Sequence, residues 1–132
     1  MDIEDDRAIT AVLLRYATGI DRRDWALFRS CFTEDFQGDY PGFGRWHGAD
    51  AITHFMTEAH AALGPTLHRL TNLVIEGDAA QATARSYVDV LLMPAMPEGE
   101  VHRAAGWYQD QLRRTAEGWK IARRRFVTVQ IT

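Results

Sequence analysis

The sequence predicts an α+β fold: a curved antiparallel sheet forming a cone, with three helices packed on its concave side. Two observations carry this. Apolar residues recur at helical spacing through residues 4–22 and 49–63, and then at a period of two after Pro65. Helical segments therefore come first and strands after, the order expected of an α+β chain.

In the first helix, Ile9, Val12, Leu13, Tyr16 and Ile20 form one stripe. Glu4, Asp5 and Asp6 lie in its first turn, where the helix dipole favours negative charge. Asp24 suits the N-cap of a short second helix, Trp25 to Phe32. Residues 37–47 hold three Gly, Pro41 and several aromatics, which predicts a short strand and an irregular loop. The third helix, over 49–63, carries Ile52, Phe55, Met56, Ala59 and Leu63 on one stripe. Leu67–Glu76 then reads as a strand and Gly77-Asp78 as a turn. A long strand follows over Ala80–Met93, then a loop bracketed by Pro94 and Pro97. Val101–Arg114 is the next strand, and Glu117-Gly118 turns into the last, Trp119–Ile131. Four strands joined by short connections predict an antiparallel meander. Its concave face and the helices would enclose a cavity.

At 132 residues the chain has the length of one domain, taken at roughly 150 residues each. A hydrophobic content of 46% with 25% charged residues argues against disorder. The 15 basic and 18 acidic side chains leave a net charge of −3, which argues against a general nucleic-acid binder. Residues 1–66 carry 6 basic and 11 acidic side chains and residues 67–132 carry 9 and 7, which suits two different layers. Cys31 is the only cysteine, so an intrachain disulfide framework is excluded. The acidic start, Met1 to Asp6, is unlike a signal peptide, and a cytoplasmic location is expected. No apolar run approaches the roughly 18 residues of a membrane span.

Sequence motifs for nucleotide binding, metal ligation and nucleophilic catalysis are missing. His47, His54, His60, His68 and His102 have no close metal-ligand spacing, so a metal site is not expected. Acid–base chemistry by scattered residues remains. Tyr16 sits within the apolar stripe, as a core tyrosine or as a donor into the cavity. Asp21 falls where the first helix ends, as a carboxylate paired with Arg22 or Arg23 or as a functional group. His68 shares a strand face with Leu70, Asn72 and Val74. Alone it reads as a core histidine; beside a carboxylate it becomes a general base, because the carboxylate fixes its tautomer and stabilises the imidazolium. Asp89 lies mid-strand with Arg85, Tyr87, Leu91 and Met93, facing solvent or a pocket. Alternation sends Arg124 to the face of Ala122 and Phe126, opposite Arg123 and Arg125. His102, Tyr108 and Asp110 share one parity and can line the cavity. His54 and His60 read as surface residues, and Cys31 as a small buried hydrophobe.

The run Leu14-Arg15-Tyr16-Ala17, Ile20-Asp21-Arg22-Arg23-Asp24-Trp25 and Cys31-Phe32-Thr33-Glu34-Asp35 resembles the opening of SnoaL-like domains, in the nuclear transport factor 2-like superfamily. His47-Gly48, Thr66-Leu67-His68, Asn72, Gly106-Trp107-Tyr108-Gln109-Asp110 and Gly118-Trp119-Lys120-Ile121 extend the resemblance over nearly the whole chain. It is nearest to scytalone dehydratase and bile-acid dehydratase-type proteins. The resemblance implies a deep apolar pocket without metal or organic cofactor. It also implies a catalytic core of helix-1 Tyr, an Asp five residues later and a strand His, matched by Tyr16, Asp21 and His68. The family's mid-strand carboxylate corresponds to Asp89, and its late Arg to one of Arg123, Arg124 and Arg125, with Arg124 favoured by alternation. Scytalone dehydratase has a second His on a later strand. Only His102 can serve here, and it lies near a strand start.

The expected function is a cofactor-independent lyase (dehydratase) or isomerase for a small polycyclic, polyketide-like or steroid-like molecule. His68 and Asp21 would abstract a proton, Tyr16 would donate, and Asp89, Arg124, Tyr108 and His102 would bind substrate. The alternative is a non-catalytic ligand-binding or oligomerisation domain, expected if His68 and Asp21 stand apart and aromatic side chains fill the cavity. A third reading, an epoxide hydrolase, needs an Asp–Arg–Asp set of which Asp89 and Arg124 supply two. A homo-oligomer, dimer or trimer, is expected from Val88 and Val90 on an outward sheet face.

Overall fold

The computed structural model describes residues 1–132. Helix α1 runs Ile3–Asp21 and opens on Asp2, whose side chain accepts the Asp5 backbone N–H at 2.8 Å. Its buried stripe is Ile9, Val12, Leu13, Tyr16 and Ile20, as the periodicity predicts. Helix α2, Trp25–Arg29, is capped by Asp24, which accepts the Leu27 N–H at 3.0 Å. The segment expected to continue it turns instead into β1, Phe32–Tyr40. The α1–α2 turn is tight. A Cβ on Gly19 would lie 2.9 Å from the Phe28 backbone, so only glycine permits this approach. Strand β2, Gly44–His47, precedes α3, Ala49–His60, and β3 to β6 follow as Leu63–Gly77, Gln81–Pro94, His102–Thr115 and Gly118–Ile131.

The six strands form one curved, unclosed sheet in the order β2-β1-β6-β5-β4-β3. From β3 to β6 it is the antiparallel meander the turns predict. The sheet as a whole is mixed, because β1 joins β6 in parallel. A connection of some 80 residues separates these two strands, and turn signals register only neighbours in sequence. Helix α1 packs on β3 and β6, and α3 on β1 and β2. The core between these layers is rich in rings: Tyr16, Phe28, Phe32, Phe36 and Tyr108 touch in series.

Two expectations of alternation are corrected here. Val88 and Val90 face the core, at 2% and 6% exposure, so they are not the outward apolar residues that a homo-oligomer was inferred from. Val74 does not share the face of His68. Asn72 adopts φ 54° at a break in the β3–β4 register between Thr71 and Val74. This bulge inserts a residue and exchanges the two faces beyond it. Val74 is therefore exposed, while Leu73 and Ile75 pack on the core. No helix is long and apolar enough to cross a membrane.

Candidate active site

The site forms where the end of α1 meets a sheet edge. β3 is the last strand of the sheet, so one side of its backbone has no neighbouring strand. Such an edge needs partners for its N–H and C=O groups. Asp21 and Arg23 supply them. Asp21 Oδ2 accepts the His68 backbone N–H at 2.8 Å, and Arg23 Nη2 donates to the Gly64 carbonyl at 2.9 Å. The same docking places Asp21 Oδ1 2.7 Å from His68 Nδ1. Thr66 Oγ1 donates to Asp21 Oδ1 at 2.9 Å and itself accepts from Arg23 Nη1 at 2.9 Å. The sequence thus brings Asp21 and His68 into one dyad, with Thr66 and Arg23 behind the carboxylate.

The electrostatics follow from these partners. Burial pushes the Asp21 carboxyl upward, but the His68 ring and backbone N–H, with the Thr66 hydroxyl, outweigh it and hold the group below its ordinary value. An ionised carboxylate accepts only, so Nδ1 of His68 carries a proton, and in the neutral form of the ring Nε2 is the nitrogen with the lone pair. Nε2 has no hydrogen-bond partner within the chain, and His68 lines a cavity of about 250 Å³. That volume is near the small end of ligand pockets, roughly 300–1,000 Å³. The walls are mainly apolar, among them Phe55, Met56, Leu63, Val90 and Phe126.

Tyr16 and Tyr108 reach the same cavity, as expected. Tyr40 joins them, unforeseen, with its hydroxyl 2.9 Å from that of Tyr16. Burial pushes all three phenols well above their usual range, so they stay protonated and can donate. Tyr40 belongs to an alternation, Phe36, Gly38 and Tyr40, that was legible but carried no polar signal. His60 is the second unforeseen member. Predicted at the surface, it is 7% exposed and lines the cavity. Its place four residues after Met56 and eight after Ile52 puts it on their helix face.

Arg124 faces inward, and Arg123 and Arg125 outward, as alternation predicts. Arg124 does not reach the cavity. Its guanidinium is fully buried in a bidentate pair with Asp110, Nε–Oδ1 2.7 Å and Nη2–Oδ2 2.8 Å. Its Cζ lies 3.6 Å from the Tyr108 ring centroid and 4.2 Å from that of Tyr16. Burial opposes its charge, but Asp110 and the two rings more than restore it. It therefore supports two cavity walls from behind.

Asp89 and His102 are corrected. Asp89 projects from the opposite sheet face, paired with Arg103 at 2.8 Å and Arg69 at 3.3 Å. Alternation requires this, because Val88 and Val90 on either side are inward. His102 lies at the start of β5, beyond the cavity, where Nδ1 donates to the Thr132 carbonyl at 2.9 Å. With Asp89 and Arg124 on opposite faces, the Asp–Arg–Asp set of an epoxide hydrolase does not assemble. No cluster of three or more His, Cys, Asp or Glu side chains is placed to hold a metal ion.

Solved structures share this architecture. A protein of Novosphingobium aromaticivorans provisionally named an aromatic ring hydroxylase is 29% identical, with TM-score 0.90 over 100% of this chain and 94% of that one. One from the same organism, provisionally named a scytalone dehydratase, is 23% identical, with TM-score 0.91 over 98% and 87%. A hexachlorocyclohexane dehydrochlorinase of Novosphingobium barchaimii is 20% identical, with TM-score 0.85 over 98% and 90%. At such identity the last two speak for fold alone. The profile of the SnoaL-like domain matches residues 1–125, nearly the whole chain, and the chain belongs to that family.

Proposed function

We propose that the protein is a cofactor-independent lyase or isomerase, with dehydration of a small hydroxylated cyclic ketone as the favoured reaction. The observation that carries this is the Asp21–His68 dyad, 2.7 Å across, opening onto an apolar cavity. His68 Nε2 takes the proton from the carbon α to the carbonyl, and Asp21 stabilises the imidazolium that forms. Of the Tyr16 and Tyr40 hydroxyls, 2.9 Å apart, one donates to the other, and the second donates its own hydrogen bond to the carbonyl oxygen as it gains enolate charge. The imidazolium then returns its proton to the departing β-hydroxyl, the C–O bond breaks, and water leaves. The same first step followed by reprotonation at another carbon is double-bond isomerisation.

Two relations support this reading. The dyad is assembled and the cavity is open, which is the converse of the arrangement expected of a binding-only domain. Solved proteins of this fold also carry names for elimination reactions, one provisionally a scytalone dehydratase and one a dehydrochlorinase. The cavity, about 250 Å³, suits one or two rings better than a steroid.

The test is a panel of mono- and bicyclic ketones bearing a hydroxyl β to the carbonyl, followed by absorbance of the conjugated product. Wild-type turnover lost in His68→Ala, with the circular dichroism spectrum retained, is the expected result. Near-wild-type turnover in His68→Ala would sink the mechanism.

A further inference from the structure

His60 is a buried titratable residue to which the mechanism gives no part. It ends α3 and lies on the cavity wall with its ring centroid 6.0 Å from that of His68. The Trp25 ring stands 6.0 Å from it, at a tilt of 52°. Nδ1 lies 2.8 Å from the Met56 carbonyl oxygen. A carbonyl only accepts, so Nδ1 is the protonated nitrogen and Nε2 carries the lone pair. That Nε2 has no hydrogen-bond partner in the chain. Burial lowers the pKa of His60, with the neighbouring His68 and Arg23 acting in the same direction, so the ring stays neutral.

The cavity is otherwise short of acceptors. Its walls are apolar except for His60, His68 and the three tyrosines. The tyrosine hydroxyls are weaker acceptors than an imidazole nitrogen, with those of Tyr16 and Tyr40 already bonded to each other at 2.9 Å, and His68 Nε2 is committed to the proton being moved. A neutral imidazole with a locked tautomer is a directional acceptor, and an apolar surround makes an unfilled one costly once a ligand has displaced water.

We infer that His60 is a specificity-determining residue of this cavity, accepting an O–H donor of the ligand beside the carbon that His68 addresses. This rests on the cavity being the ligand site, as the proposed function has it, and adds the ligand class: a ring compound with a hydroxyl on its histidine side. Apolar isosteres without the donor leave His60 unpaired and are discriminated against.

The test uses two probes that differ in the donor, 2-naphthol and 2-fluoronaphthalene, with affinities measured by protein fluorescence. Wild type should prefer 2-naphthol about tenfold, the upper range for one hydrogen bond. His60→Phe should erase this preference and leave 2-fluoronaphthalene binding intact, whereas Tyr40→Phe should keep it. In wild type labelled with ¹⁵N-histidine, 2-naphthol should shift the His60 Nε2 resonance, a readout that needs no folded variant. A preference that survives in His60→Phe, or an unmoved His60 resonance on binding, would overturn the inference and leave the proposed reaction standing. Failure of wild type to bind either probe would overturn the inference together with the ligand site it rests on.

Discussion

Asp21 holds His68 at two points, one carboxylate oxygen 2.7 Å from Nδ1 and the other accepting the backbone N–H at 2.8 Å. The second bond fixes the carboxylate relative to the strand, and the first fixes the ring relative to the carboxylate. The imidazole is thereby oriented by its own backbone through Asp21. A side chain anchored in this way keeps its tautomer and direction without needing the ligand to set them.

Asp21→Asn breaks this logic with little change of shape. An amide has one acceptor and one donor end, so it cannot accept from both Nδ1–H and the backbone N–H. Turnover should fall by about 10²–10⁴, the range for general acid–base catalysis, with KM little changed. Steady-state kinetics on the ketone that wild type accepts would check this. A loss below tenfold would remove Asp21 from the mechanism.

The same contacts make stability depend on pH. The Asp21 carboxyl is held below its ordinary value, so the unfolded chain takes up this proton first as pH falls. Its stabilising contribution is complete above the unfolded pKa, about 3.9, and is lost as pH drops through the lower folded value. The melting temperature of wild type should fall more steeply below about pH 4 than that of Asp21→Asn. Parallel curves from pH 6 to 3 would contradict the assignment.

Much of this was legible before the structure. The stripe of α1, the four-strand meander and the inward Arg124 follow from periodicity and alternation, whereas the pairing of Asp21 with His68 was implied only by the resemblance to the family. What alternation lacks is an anchor saying which of its two faces is inside. In β4, Val88 and Val90 oppose Asp89 and Leu91, and each set is apolar in part, so burial could not be assigned from pattern. Asn72 shows a second gap, because one residue at φ 54° exchanges the faces of all that follow it. The parallel β1–β6 pairing has no local signal at all. His60 was legible from its spacing to Met56 and was masked by the prior that a polar residue near a helix end is exposed.

Arg23 carries a backbone cost and a network at once. It adopts φ 55° while its guanidinium bonds Ile20 O, Thr66 Oγ1 and Gly64 O. Left-handed backbone costs an L-residue about 1 kcal/mol or more, and glycine escapes it. Arg23→Gly should therefore be more stable than Arg23→Ala by about 1 kcal/mol in urea denaturation. Both should lose turnover by about tenfold, because Thr66 no longer has its donor while it supports Asp21. Wild-type turnover in both variants would show that the network is structural only.

Arg124 and Asp110 form an ion pair with no exposed side-chain surface, and Nη1 of Arg124 has no partner. Removing one member leaves a buried charge alone, whereas removing both leaves none. Asp110→Leu should cost about 3–5 kcal/mol of stability by urea denaturation, and Arg124→Met a comparable amount. The double variant should recover most of the loss, because apolar side chains of similar volume can fill the space beside Tyr16 and Tyr108. Its turnover should not recover, since Tyr16 and Tyr108 would then lose the cation that lies against both rings. Additive losses of stability in the double variant would mean that the two side chains act separately, against the bidentate geometry that joins them.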